Sequence, residues 1–334
     1  MLGKPVELLS MRSGFDALNS YLTSAQALPL RDYVPALDNT VVARQYPETC
    51  RGNITRSVPD DDINYSVLAL MVLEEHGATF TTADVARAWL RLLPGGMVFT
   101  AERNAYVKLL ERAGMGFTFG AEPAFDLAEC SDNPYNDWIG AQIRADVYGW
   151  VVPGNPELAA DMAGRDAALS HRGEGVYGAQ AVAAIGSVLI ADGSIDEAID
   201  TAIECLPAES DCVEALRLGR DVALSGDGPQ PLHEHYEAMS PVHTVNNLAL
   251  VSWGLVRGAD DFSVAIGDTV AAGWDTDCNG ATVGALWGLT GRDISPHWSN
   301  PWFGRVEVSL AGVGELSLDG LVARTVRTVD SLAS

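Results

Sequence analysis

The chain has 334 residues, 47% of them hydrophobic and 20% charged, which is enough apolar material for a large core in one or two domains. Its formal net charge is −24 and its only lysines are Lys4 and Lys108, so it lacks a basic stripe that would displace counterions along a nucleic-acid backbone. The sequence shows no apolar run of about 18 residues and no charged leader before an apolar segment, so the expectation is a soluble cytoplasmic protein with no membrane contact.

Residues 1–10 read as a turn, and about 50 mixed residues follow, broken by Pro29, Pro35 and Pro47. After the acid triplet Asp60-Asp61-Asp62, residues 63–73 form a strongly apolar helix that closes near His76-Gly77. Helix N-termini favour anions, and one Asp suffices as a cap. Three in a row repel one another, weakly in water and strongly when buried. The triplet reads either as a cap with solvated neighbours or as a built acidic site. Helical apolar spacing recurs over 81–93 and 101–113, and 116–133 is irregular.

Residues 134–154 interleave aromatic, amide and charged side chains with glycine, including Trp138, Tyr148 and Trp150. That mixture suits a pocket wall that stacks a flat group and bonds its edge, and equally a buried amphipathic helix. A helix over 156–171 closes on His171, an ordinary place for a dipole partner. Helices follow over 176–190, 196–206 and 209–224. His233-Glu234-His235 lacks the spacing that puts two histidines on one helix face, and reads as surface. Residues 244–253 form a buried helix with two amides, Asn246 and Asn247. A helix over 261–272 then delivers the chain to Trp274-Asp275-Thr276-Asp277-Cys278-Asn279-Gly280.

That stretch reads as a loop with two carboxylates, emptying into a small-residue helix over 281–288. Gly284, Ala285 and Gly288 are expected to be packed tightly. Two acids at the mouth of such a helix are costly to bury without a cation or donors. An N-cap with an Asx-turn and a metal site are both open. Residues 306–316 look like a short irregular apolar piece, and 318–333 a last helix. The five cysteines Cys50, Cys130, Cys205, Cys212 and Cys278 are scattered, with no C-x-x-C, so neither a disulfide frame nor a zinc site is expected. No run of strands, no dinucleotide-binding or phosphate-loop glycine pattern and no repeat of about 30–45 residues is visible. The expected architecture is all-α, one domain over 1–334 with a dozen or so helices.

Several segments, taken in order, resemble the ADP-ribosylglycohydrolase family. Leu2-Gly3-Lys4-Pro5-Val6-Glu7 is similar to that family's opening G-D-A-L-G-x-P-x-E, and Asp60-Asp61-Asp62-Ile63 to its T-D-D-T. His171 with Tyr177-Gly178 is similar to its helix-closing His and the G-x-x-G segment after it. Asp275-Thr276-Asp277-Cys278 is similar to its D-x-D-T, and Pro296-His297-Trp298 to its P-x-x-W. The chain departs from the pattern at Asp60, Ile63 and Cys278, and the helix that normally precedes the opening motif is expected to be missing.

The resemblance implies an orthogonal multi-helix bundle holding two Mg²⁺ ions, with Mn²⁺ as a substitute, and hydrolysis of a glycosidic bond at a ribose anomeric carbon. It implies metal ligation by Asp61, Asp62, Asp275 and Asp277, beside which the departing Asp60 and Cys278 are further candidate ligands, and catalytic roles for Glu7 and Asp62, with Glu7 positioning or deprotonating water. His171, Tyr177 and Trp298 join Trp138, Tyr148 and Trp150 as candidate substrate contacts. The implied partner is an ADP-ribosylated protein or a small ribosylated metabolite. Arginine is thin around the motifs (Arg51, Arg56, Arg144, Arg172 and Arg292), which favours the less anionic substrate. The competing expectation is a metal-deficient family member that acts as a binding or structural protein.

Overall fold

A computed structural model describes residues 1–333. Among them are fifteen α-helices, several short 3-10 turns and one two-stranded antiparallel sheet, so the architecture is all-α as expected. The buried hydrophobic side chains form one connected core. Glu174–Leu189 and Thr244–Arg257 run through it and are buried on nearly every face, which is why their sequences are apolar all round rather than amphipathic. No helix among the described residues is long and apolar enough to cross a membrane.

Three elements position the acidic motifs. The first is Asp61–His76, capped by the Asp60 side chain and closed by Gly77 at φ 65°. It starts inside the acid triplet rather than after it. The second is Thr276–Gly288, which starts well before the expected residue 281 and places Asp277 and Cys278 in its first turn. The third is the N-terminal segment. A 3-10 turn over Lys4–Val6 leads directly into a helix over Glu7–Ser24, kinked at Gly14. The sequence reading had a turn and mixed structure here. Only Ser10, Leu18, Tyr21 and Leu22 of that helix are buried, too sparse a stripe to register as a helical period.

Other departures are local. Residues 134–154 form a 3-10 segment, Ile139–Arg144, and a single short helix, Asp146–Trp150. The apolar piece near 306–316 is a hairpin that pairs Arg305–Glu307 with Glu315–Ser317. Ser57 bonds to this hairpin through its backbone on both sides, which fixes the approach to Asp60. In the small-residue helix, Gly284 has ordinary contacts and Gly288 faces open space. The close approach is at Gly280, where an added Cβ would lie 2.8 Å from Val270. Glu234 and His235 are exposed as expected, but His233 is half-buried and bonds through Nε2 to the Ala272 carbonyl at 2.8 Å.

Candidate metal centre

The starts of the two helices face each other across the N-terminal segment. Gly3 lies so close to the second helix that an added Cβ would sit 2.1 Å from the Thr276 carbonyl oxygen, and the Thr276 hydroxyl donates to the Gly3 carbonyl at 2.9 Å. This contact holds Lys4 and Glu7 over the acids. The Lys4 ammonium lies 2.8 Å from Asp277 Oδ2, 2.8 Å from Glu7 Oε2 and 3.2 Å from Asp60 Oδ1. Asp60 Oδ1 also accepts from the Asp61 backbone N–H at 2.8 Å, so the residue is a helix cap and a cluster member at once.

Two sets of ligand-type atoms lie within 4.8 Å of one another: Asp60, Asp62 and Asp277 in one, Asp275, Asp277 and Cys278 in the other. Asp277 is common to both. Asp61 belongs to neither and is half-buried. Asn247 pins the second motif from behind. Its Oδ1 accepts from Asn279 Nδ2 at 2.6 Å and from the Asp275 backbone N–H at 3.4 Å, while its Nδ2 donates to the His243 and Pro241 carbonyls. Sequence reasoning noticed Asn247 only as a buried amide and gave Lys4 no role at the site. The signal for Lys4 was its rarity, one of two lysines in a chain with 45 acidic residues.

The electrostatics follow from burial. Desolvation raises Asp61, Asp62 and Asp275 well above the ordinary carboxylate range, and their acidic neighbours add to the shift. Burial also works to raise Asp277, but Lys4 and hydrogen bonds outweigh it and hold that carboxyl low. Burial opposes the Lys4 charge too, yet Asp277, Asp60, Glu7 and Asp61 keep the ammonium protonated far above its usual range. Glu7 loses the competition for Lys4. Burial and Asp277 push its carboxyl up to about 8 despite the close ammonium.

The donor set fits a hard divalent cation. Asp62 Oδ1, Asp275 Oδ1, Asp277 Oδ1 and Asn279 Oδ1 are buried and have no hydrogen-bond partner among the described residues. Helix N-termini offset some of that charge but not several carboxylates at once. Anionic oxygens in this number suit Mg²⁺ or Mn²⁺. Cys278 is different. Burial and the flanking Asp275 and Asp62 raise its thiol well above the usual value, and Sγ lies 3.9 Å from Asp62 Oδ2 as a weak donor. A neutral thiol adds little to a hard-ion site.

The six candidate substrate contacts lie apart from this cluster's bonding. Among the described residues none of them forms a hydrogen bond or ion pair with the acids. Tyr148 is buried and donates to Asp166 Oδ2 at 2.6 Å. His171 is buried, with Nδ1 2.8 Å from Ser170 Oγ, and desolvation and Arg144 drive it well below the ordinary histidine range. Trp298 is buried and donates through Nε1 to Ser263 at 2.9 Å. Trp138, Trp150 and Tyr177 are half-buried; Trp138 packs edge-on against Tyr135, and Trp150 and Tyr177 against the core. The sequence reading did not anticipate a groove of about 300 Å³ that Phe15, His233, Tyr236 and Trp274, the residue before Asp275, line with Ser10 and Met239. His233 packs at a tilt against Trp274, with ring centroids 4.4 Å apart, and the Trp274 φ of 54° is unusual for a bulky residue. Ser10 steadies that turn by donating to the Trp274 carbonyl at 2.8 Å.

Fold and site together define an all-helical protein that gathers carboxylates from two helix starts around a hard-cation donor set. The sequence matches the ADP-ribosylglycohydrolase family over residues 1–318, and the chain belongs to that family. Among solved structures it is similar to one described as an ADP-ribosylglycohydrolase-related protein complex. That match has a TM-score of 0.57 and 18% identity, covers 95% of this chain and 96% of the other, and speaks for the fold alone. A comparison with curated proteins finds no match.

Proposed function

We propose that this protein is a Mg²⁺-dependent hydrolase that cleaves the glycosidic bond at the ribose anomeric carbon of an ADP-ribosylated or smaller ribosylated substrate. The observation that carries this reading is the set of buried, unpartnered oxygens of Asp62, Asp275 and Asp277 at two facing helix starts, in a member of this family. Asp277 belongs to both ligand sets and would hold a cation with Asp62 in one or with Asp275 in the other. When bound, a divalent ion there would orient the ribose oxygens and a water molecule, while the carboxylates around it offset the positive charge that develops on the ribose as the anomeric bond breaks.

The chain's own groups do the rest. Glu7, held at the edge of the acid cluster beside Lys4, is placed to position or deprotonate water. Asn247 fixes the Asp275 backbone and Asn279, so the second motif is held in place before substrate arrives. The groove walled by Phe15, His233, Tyr236 and Trp274, the residue before Asp275, offers flat apolar faces to a base or leaving group. No arginine lines it, which favours a small ribosylated compound over one that needs its diphosphate neutralised.

Hydrolysis of a panel of ribosylated compounds and ADP-ribosylated proteins in Mg²⁺, by wild type and Asp277→Asn, tests the reading. The variant is expected to lose activity by at least about 100-fold with an unchanged helical circular-dichroism signal. Hydrolysis at the wild-type rate would remove Asp277 from the site. A second reading, a binding protein that has given up the chemistry, draws on Lys4 and Cys278 within the acid cluster. Wild-type protein that retains no divalent ion at millimolar concentration and cleaves no substrate would favour it.

A further inference from the structure

We propose that Lys4 is a tethered cation standing where one of two divalent ions would sit, so that this chain holds a single ion. The proposal rests on the metal-dependent reading above. Its ammonium is met by three carboxylates from three elements: Glu7 at 2.8 Å, Asp60 at 3.2 Å and Asp277 at 2.8 Å. An ammonium has three N–H donors and no acceptor; it donates to Asp60 and Asp277, and Glu7 lies within ion-pair distance. Asp60 and Asp277 are two of the three members of one ligand set, with Asp62. A divalent ion placed there would share Asp60 and Asp277 with Lys4, and would have to sit against a fixed positive charge.

The side chain is not free to leave. Its side chain is only 13% exposed, and the Tyr46 ring covers the ammonium at 5.3 Å from the ring centroid. The backbone behind it is held by the Gly3–Thr276 contact, and Pro5 follows directly. What Lys4 leaves over is specific. It bonds Asp277 through Oδ2, while Asp277 Oδ1, Asp62 Oδ1 and Asp275 Oδ1 stay buried without a partner. Each of these residues is at least nine-tenths buried. The unused oxygens come from both helix starts, and Asp275 and Asp277, the carboxylates of the second ligand set, would hold the remaining ion.

The test is Mn²⁺ binding to wild type, Lys4→Met and Lys4→Arg, by isothermal calorimetry and by metal content after dialysis. Electron paramagnetic resonance of the Mn²⁺ forms separates single ions from coupled pairs. Wild type and Lys4→Arg are expected to bind one ion and show an uncoupled spectrum. Lys4→Met is expected to bind two and show a coupled pair, and Mn²⁺ should raise its melting temperature more than that of wild type. Two ions in wild type, or one in Lys4→Met, would overturn the proposal and leave the metal reading standing. No ion in any form, Lys4→Met included, would instead overturn the metal reading and this proposal with it. Should Lys4→Met fail to fold, Lys4→Gln keeps a donor without the charge and carries the same expectation.

Discussion

Asp146 shows how far burial alone moves a single group in this protein. Its Oδ1 meets no hydrogen-bond partner among the described residues, and desolvation pushes its carboxyl up to about 8. The unfolded chain has the ordinary value, about 3.9. Between those two values the folded state keeps a proton that the unfolded state has released. Stability therefore falls as pH rises, by about 1.4 kcal/mol per unit from this residue. The contribution is complete below pH ~4 and gone once pH has passed ~8. Asp146→Asn abolishes that slope. Urea denaturation of both proteins at pH 4.5 and pH 8 should show the variant gaining on wild type by on the order of 3–6 kcal/mol between the two pH values. Parallel stability curves would mean that Asp146 ionises normally in the fold.

At the scale of the element, the N-terminal turn and the helix Thr276–Gly288 form one unit joined at Gly3. Gly3→Ala places a Cβ 2.1 Å from the Thr276 carbonyl oxygen, a backbone atom that cannot swing aside. The turn must move, and the expected cost is about 1–3 kcal/mol in chemical denaturation. Gly288→Ala meets nothing within 4 Å and should leave stability unchanged or raise it by up to about 1 kcal/mol. Equal melting temperatures for Gly3→Ala and wild type would deny the close approach.

This pair also shows what the sequence discloses. The acid motifs were legible as helix starts because Asp before an apolar run is a local signal. It was also legible that two acids there need compensation. Which glycine is packed was not legible, because Gly280 and Gly288 differ only in what another helix brings against them. Lys4 escaped for the same reason, since its partners Asp60 and Asp277 lie 56 and 273 residues away. The aromatics of 134–150 were ambiguous for a different reason. Tyrosine and tryptophan beside amides and charges have one composition whether they line a pocket or satisfy a buried network, and Tyr148 does the second.

That network matters to the whole molecule. Arg144 is buried and donates to Glu102 Oε1 at 2.7 Å, to Asp166 Oδ1 and to Ser170 Oγ at 3.0 Å. Its guanidinium also lies over the rings of Trp89 and Tyr65, at 5.2 and 5.6 Å. The partners come from Thr100–Arg112, Pro156–Ala167, Thr82–Leu92 and Asp61–His76, so one side chain ties four helices, including the helix that opens on the acid triplet. It is fully engaged there and unavailable to a diphosphate. Arg144→Met leaves two carboxylates buried without a counter-charge, which should cost about 3–5 kcal/mol in urea denaturation. Adding Glu102→Gln and Asp166→Asn removes those charges and should recover part of the loss. Mn²⁺ stoichiometry of the folded Arg144→Met protein should match wild type, because the guanidinium bonds to none of the cluster carboxylates. Stability equal to wild type would show that the ion network does not hold these helices together. An altered stoichiometry would show that it sets the position of the Asp61–His76 helix start.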